Sequence, residues 1–250
     1  SMVIDGQKIA HQILSKLKKQ TRPRKTLAAV LIGKNQVSES FLIQKQKLAQ
    51  ELKVNFQIDR LSDAIGSREL KNEVKKLGSE RQIGGIIIQL PLPKNLELAN
   101  ILEFLPASKD VDNLKRRNLV PAPTVGALEK ILKAIKFNSK GKRAVVVGRG
   151  FLVGKPVAFW LRSRVQKLIV TDKEKLDLTA LKNADLIISG VGKPGLITGS
   201  FIKRDSVLID FGYSRHHDRL AGDFDFKTCF RKSAFITPTP GGTGPITVAQ

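Results

Sequence analysis

Cysteine is nearly absent from this chain of 250 residues: Cys229 stands alone, which excludes an internal disulfide. Histidine is scarce as well, limited to His11, His216 and His217. Three histidines and one cysteine do not make a structural zinc site, and no metal is expected. Nor do they leave a Ser-His-Asp or Cys-His set, which disfavours hydrolysis through an activated serine or cysteine. One Trp and one Tyr give no aromatic stripe on which bases could stack. No apolar run approaches the ~20 residues that span a bilayer, so no membrane association is expected. No charged-then-apolar leader opens the chain, and a cytoplasmic protein is expected. Acidic residues are outnumbered, 22 against 44 Lys and Arg, for a net charge of +22.

That balance favours anionic partners: nucleic acid, phosphorylated cofactors or polyanionic substrates. The densest basic run, Lys16 to Lys25, reads as a solvated helix end. Without stacking aromatics, nucleic acid is not the expected partner.

Hydrophobic periodicity predicts an alternation of strands and helices. Ile9, Ile13 and Leu17 recur at helical spacing, with Ala10 and Leu14 beside them. Leu27 to Ile32 reads as a buried strand. Ser38 can cap a helix running to about Leu52. Val54 to Ile58 reads as a strand and Ser67 to Leu77 as a serine-capped helix. Gly85 to Leu90 is a strand stopped by Pro91 and Pro93, and Leu96 to Phe104 a short helix. A polar loop runs from Pro106 to Arg117, and Thr124 caps a helix to about Ile135. Strands are then expected near Ala144–Gly148, Lys167–Thr171, Leu186–Ser189 and Val207–Asp210. The tail from Thr237 to Thr247 is too rich in Pro and Gly for a regular element. Such alternation argues for parallel sheets and right-handed βαβ units. The expected fold is a two-domain α/β protein. Residues 1–118 would form an N-terminal α/β catalytic domain. Residues 119–239 would form a Rossmann-type dinucleotide-binding domain with a parallel sheet, and residues 240–250 a returning segment.

The stretch from Ala144 to Pro156 carries the most information. A β-branched run ends at Gly148-Arg149-Gly150-Phe151-Leu152-Val153-Gly154, and a helix-like segment follows. Glycine lets the backbone turn tightly against a pyrophosphate, and the helix N-terminus supplies N–H donors. The spacing is one residue longer than the commonest fingerprint, and an ordinary glycine-capped turn is the plain alternative. Ligands in open α/β sheets bind beyond the carboxyl ends of the strands. That rule selects Gln89 and the loop Lys109-Asp110-Val111-Asp112. Lys45 lies at a depth where a charge could point into a cleft, and a partly buried lysine can shuttle protons. Each also has a plain structural reading: a surface lysine, a strand-end cap, a pair of turn aspartates.

Taken together and in order, the motifs resemble the methylenetetrahydrofolate dehydrogenase/cyclohydrolase family over nearly the whole chain. Ser38 to Lys47 is similar to its S-x-x-Y-x-x-x-K-x-K helix, and Gln89-Leu90-Pro91-Leu92-Pro93 to its Q-L-P-L-P strand end. Lys109 to Asp112 resembles its K-D-V-D loop, Gly148 to Pro156 its G-R-S-x-x-V-G-x-P turn, and Pro240 to Pro245 its P-G-G-V-G-P loop. The resemblance implies oxidation of methylenetetrahydrofolate with NADP and hydrolysis of the methenyl product to formyltetrahydrofolate, within one-carbon metabolism and purine biosynthesis. It implies that Lys45 handles the proton of the hydrolysis, that Gln89 holds that lysine, and that Asp112 accepts hydrogen bonds from the pterin. Substrate contacts are implied for Phe41, Ile88, Leu90, Pro240, Gly241, Gly242, Thr243 and Gly244. Cofactor contacts are implied for Gly148, Arg149, Gly150, Val153, Gly154, Asp172, Lys173 and Tyr213. A homodimer and a polyglutamylated folate, which would suit the basic charge, are implied too.

Several positions depart from the family pattern. Phe41 replaces its tyrosine, which should weaken hydrolysis more than oxidation. Asn113 replaces a glycine but can adopt left-handed backbone angles. Gly150 replaces a serine that could face a 2′-phosphate. Asp172 stands where an acid bonds a free ribose 2′-OH, so NAD is possible; Arg149 and Lys173 favour NADP. The sequence ends before a helix the family usually has, and the apolar surface it would cover is expected to need another cover. Two alternatives stay open: only one of the two activities, or a non-catalytic basic binding protein on the same scaffold.

Overall fold

The β-branched runs become strands that are parallel to their neighbours throughout both main sheets. The computed structural model describes residues 1–117, 119–216 and 219–250. His217, and Asn118 at the end of the expected first domain, lie outside the described residues. The chain opens with β1 (Met2–Val3) and α1 (Gly6–Leu17). Three strand–helix pairs follow: β2 (Thr26–Ile32) with α2 (Gln36–Glu51), β3 (Phe56–Leu61) with α3 (Ser67–Ser79), and β4 (Ile83–Ile88) with α4 (Leu98–Leu102). After α5 (Pro123–Ala134) come β5 (Arg143–Val147), α6 (Gly154–Leu161), β6 (Lys167–Thr171) and α7 (Leu178–Lys182). Then follow β7 (Leu186–Ser189), β8 (Val207–Asp210) and an antiparallel pair, β9 (Ser214–His216) and β10 (Arg219–Ala221). The last elements are α8 (Phe226–Phe230), β11 (Phe235–Ile236) and α9 (Thr243–Ala249).

Two compact units result. One comprises Leu14–Ala122 with Ala249, the other Ser1–Ile13 and Pro123–Val248 with Gln250. The first holds a three-stranded sheet in the order β3-β2-β4. Ala29, Leu31 and Ile87 of that sheet pack with Leu42 of α2 into a closed cluster. The second holds a six-stranded sheet in the order β1-β11-β8-β7-β5-β6. Its inner strands read as continuous Val, Ile and Leu because helices cover both faces of such a sheet. Val145, Val147, Ile187 and Leu208 form its core with Leu181 and Ile202. Full burial of each such side chain stabilises the fold by about 1.5–3 kcal/mol. Met2 pairs with Phe235, so the first residues belong to this second sheet rather than to the chain that follows them.

Several local expectations are corrected. Asn35, not Ser38, caps α2: its side chain accepts from the Ser38 N–H at 2.9 Å. The α3 cap is Gly66, with no side-chain bond. In α5, Pro123 takes the first helical position, where a missing N–H costs nothing, and Thr124 lies inside the helix. Val54 does not start a strand, because its N–H closes the end of α2 on the Ala49 carbonyl at 2.8 Å. The Pro/Gly-rich tail does form a helix, α9, from Thr243. Pro245 falls in its first turn, where backbone N–H groups have no intrahelical partner to lose.

Candidate active site

In the first unit, α2 sets the position of Lys45. Ser38, Leu42 and Ala49 form its buried stripe. Lys45 falls three residues after Leu42 and four before Ala49, on the same face. It is therefore half-buried, while Lys47 is exposed. Phe41 precedes Lys45 by one turn and is also half-buried.

Gln89 follows β4 directly. Its N–H continues the ladder onto the Val30 carbonyl at 3.0 Å, and its Nε2 donates to the Leu90 carbonyl at 3.1 Å. The Ser38 hydroxyl donates to that same carbonyl at 3.2 Å, tying the first turn of α2 to the end of β4. Among the described residues, the buried Gln89 Oε1 accepts from no partner. Ile88 is 1% exposed, while Leu90 is half-buried.

The loop Lys109 to Asp112 divides its labour. Lys109 Nζ donates to the carbonyls of Gly78 and Glu80 at 2.7 and 2.8 Å, finishing α3. Asp110 is buried and accepts from the N–H groups of Leu114 and Lys115 at 2.9 and 2.7 Å, so it is the turn residue. Asn113 takes the left-handed backbone with φ 52°. A Cβ at Gly85 would lie 2.6 Å from Val111 Cγ1, which explains the glycine beneath this loop. Asp112 is left over from these bonds. Burial pushes its carboxyl above the usual carboxylate range; the Lys45 charge pulls it back, and Asp110 adds to the rise. Lys45 and Asp112 thus share one electrostatic environment: an ammonium with donors to give beside a carboxyl with lone pairs to accept.

In the second unit, the glycine turn lies between β5 and α6. Gly148 has φ +102°, a backbone suited to glycine, and its N–H bonds the Thr171 carbonyl at 2.8 Å. A Cβ at Gly154 would collide with the Gly148 carbonyl oxygen. Nothing lies within 4 Å of a Cβ position at Gly150. The turn is therefore closed against its own helix and open outward, at the start of α6. That fits a dinucleotide pyrophosphate cradled by backbone N–H groups. Val153 precedes α6 and packs where a Cβ at Gly190 would stand. Arg149 is ion-paired with Asp172 at 3.0 Å, and Lys173 faces Glu174 at 4.0 Å. Tyr213 is half-buried after β8.

The loop from Pro240 to Gly244 leads into α9. Gly241 has φ +95°, and its carbonyl accepts from the Gly6 N–H at 3.0 Å. A Cβ at Gly242 would meet the Pro238 carbonyl oxygen. The Thr243 hydroxyl donates to the Asp210 carbonyl at 2.6 Å, and the Asp210 N–H donates to Thr237 Oγ1 at 2.7 Å. Two buried acids here escaped the sequence reading. Asp210 accepts from the N–H groups of Gly212 and Phe224 at 2.7 and 3.2 Å. Asp223 accepts from Ser189 Oγ, Val191 N and Lys193 N at 2.7 to 2.8 Å. The readable signal was an Asp ending an apolar strand, with Gly212 and Gly222 leaving room for the carboxyls.

Among the described residues, no group of His, Cys, Asp and Glu could hold a metal ion, and no helix is long and apolar enough to cross a membrane. The chain is 35% identical over 266 residues to the bifunctional protein FolD of Nautilia profundicola, covering 99% of this chain and 93% of that one. Its fold matches the FolD methylenetetrahydrofolate dehydrogenase/cyclohydrolase of Campylobacter jejuni with a TM-score of 0.92 at 30% identity, over 99% and 94% of the two chains. It matches the Trypanosoma brucei enzyme, complexed with NADP cofactor and inhibitor, with a TM-score of 0.93 at 29% identity, over 100% and 94%. Residues 4–112 match the tetrahydrofolate dehydrogenase/cyclohydrolase catalytic domain and residues 121–250 the NAD(P)-binding domain of the same name, so the chain belongs to the tetrahydrofolate dehydrogenase/cyclohydrolase family.

Proposed function

We propose that this chain oxidises 5,10-methylenetetrahydrofolate to 5,10-methenyltetrahydrofolate with NADP and hydrolyses the product to 10-formyltetrahydrofolate. In this reading residues 1–118 carry the folate chemistry and residues 119–239 hold the dinucleotide. NADP, when bound, accepts the hydride from the methylene carbon. Gly148, Gly150 and Gly154 let backbone approach its pyrophosphate, with Arg149, Val153, Asp172, Lys173 and Tyr213 around them. In the hydrolysis, water adds to the cationic methenyl carbon, the bond to N5 breaks and one proton leaves. Lys45 manages that proton, and Gln89 offers its unpartnered Oε1 as an acceptor for an ammonium. Asp112 accepts N–H groups of the pterin edge.

The observation that carries this reading is that the charge of half-buried Lys45 acts on the buried Asp112 carboxyl; the unpartnered Gln89 Oε1 at the end of β4 is an acceptor still to be used. A second reading, with oxidation dominant, rests on Phe41: its ring can stack on a folate but brings no hydroxyl near Lys45. Both are tested by following cofactor reduction with methylenetetrahydrofolate, then decay of added methenyltetrahydrofolate. Reduction with slow decay supports the dominant dehydrogenase, and Phe41→Tyr should then speed decay several-fold, less than the roughly 10²–10⁴-fold of a full general acid–base group. Absence of both signals would sink the enzymatic reading.

We place the protein in the cytoplasm, in one-carbon metabolism and purine biosynthesis, acting on polyglutamylated folate as a homodimer. Light scattering at micromolar concentration should give twice the mass of 27.6 kDa. A monomer mass would remove the dimer from this proposal.

A further inference from the structure

We propose that the Arg149–Asp172 pair builds a competitor for the 2′-phosphate into the dinucleotide site, so that the site takes NAD as well as NADP. This rests on the cofactor reading above. Strand register creates the pair: Val147 of β5 lies opposite Thr171 of β6, so Arg149 and Asp172 leave neighbouring strand ends. Arg149 Nε donates to Asp172 Oδ2 at 3.0 Å, and its Nη2 donates to the Val170 carbonyl at 3.0 Å. The guanidinium is thus turned back onto β6. Asp172 is equally constrained, because buried Thr171 closes the loop behind it. Thr171 Oγ1 donates to the Lys175 carbonyl and accepts from the Asp177 N–H, each at 2.9 Å.

Asp172 directly follows β6, the first strand after the glycine turn, where a carboxylate accepts the 2′-OH of an NAD ribose and repels a 2′-phosphate. Arg149 attracts that phosphate, but only by giving up Asp172. The two side chains are 59% and 46% exposed. An exposed pair contributes less than about tenfold to an equilibrium constant, so a phosphate can displace the carboxylate at small cost. Displaced, Asp172 still stands beside the phosphate and repels it. Neither dinucleotide is excluded, and neither is strongly preferred.

The test is titration of the whole protein with NADPH and with NADH, read by nicotinamide fluorescence at low and high salt. Dissociation constants within about tenfold of each other are expected. Asp172→Asn removes the repulsion and frees Arg149, so NADPH should tighten relative to NADH by about tenfold or more. Arg149→Gln should move the ratio the other way, and gives a second readout if the first variant is unstable. A wild-type preference above about 100-fold, or a ratio that neither variant moves, overturns the proposal and leaves the dinucleotide reading standing. Binding of neither cofactor by the wild type overturns that reading and this inference with it.

Discussion

Replacing Lys45 by methionine is expected to lower methenyl hydrolysis by about 10²–10⁴-fold, the usual contribution of a positioned acid–base group. Methionine keeps the length of the apolar stem, so the stripe of Leu42 and Ala49 on which Lys45 sits stays filled. What disappears is the ammonium beside Asp112, and with it the group that manages the proton of the attacking water. Oxidation should suffer far less, because a hydride leaves the methylene carbon and no proton has to be moved. The change should therefore fall on kcat for hydrolysis, read from decay of added methenyltetrahydrofolate. Cofactor reduction in the same preparation serves as the control. Equal losses in both assays would mean that Lys45 positions folate, and unchanged hydrolysis would remove it from the chemistry.

What the sequence could and could not disclose follows from where each signal resides. Lys45 was legible because its place on the helix that follows β2 is local, and can be read without knowing the fold. The glycine turn was legible for the same reason, since β5, turn and α6 are consecutive. The separation of Asp110 from Asp112 came only from the family resemblance, not from local pattern. Residue by residue both read as turn aspartates, and in the fold it is the Asp110 carboxyl that faces the backbone of Leu114 and Lys115, with Asp110 bridged to Ile86. Nor did local pattern point to Asn35 as the cap of α2, since Ser38, the expected cap, also offers an oxygen to a free N–H. The fold decides: the Ser38 hydroxyl is spent on Leu90, across 52 residues of chain. Asp172 and Arg149 were each visible as opposing cofactor signals. That they bind one another is a property of strand register, which no local spacing encodes.

Asp210, buried beside Asp223, is the strongest case of such non-local chemistry, and its carboxyl should make stability fall as pH rises through neutrality. Asp210 is 3% exposed and Asp223 fully buried. Burial pushes the Asp210 carboxyl up to about 7 from an ordinary value of 3.8; the Asp223 charge adds to this, and the N–H groups of Phe224, Asp223 and Gly212 oppose it. Between those two values the folded protein holds a proton that the unfolded chain has released. Stability is then greatest at the acid end of the window and is lost as pH rises towards the folded value. From pH 5 to pH 8 the loss is about 2.5 kcal/mol at 1.36 kcal/mol per pKa unit. Asp112, also raised by burial, slopes the same way but is present in both proteins compared. Asp185 and Asp225 are lowered, so their dependence falls below the usual carboxylate range and outside this window. Asp210→Asn should therefore flatten the denaturation free energy between pH 5 and pH 8 by about 2.5 kcal/mol. The amide also loses one backbone donor, from Gly212 or Phe224, which lowers stability equally at every pH. The slope is the measurement that separates the two effects. A variant that keeps the wild-type slope would show that Asp210 is ionised throughout, with its backbone donors outweighing its burial.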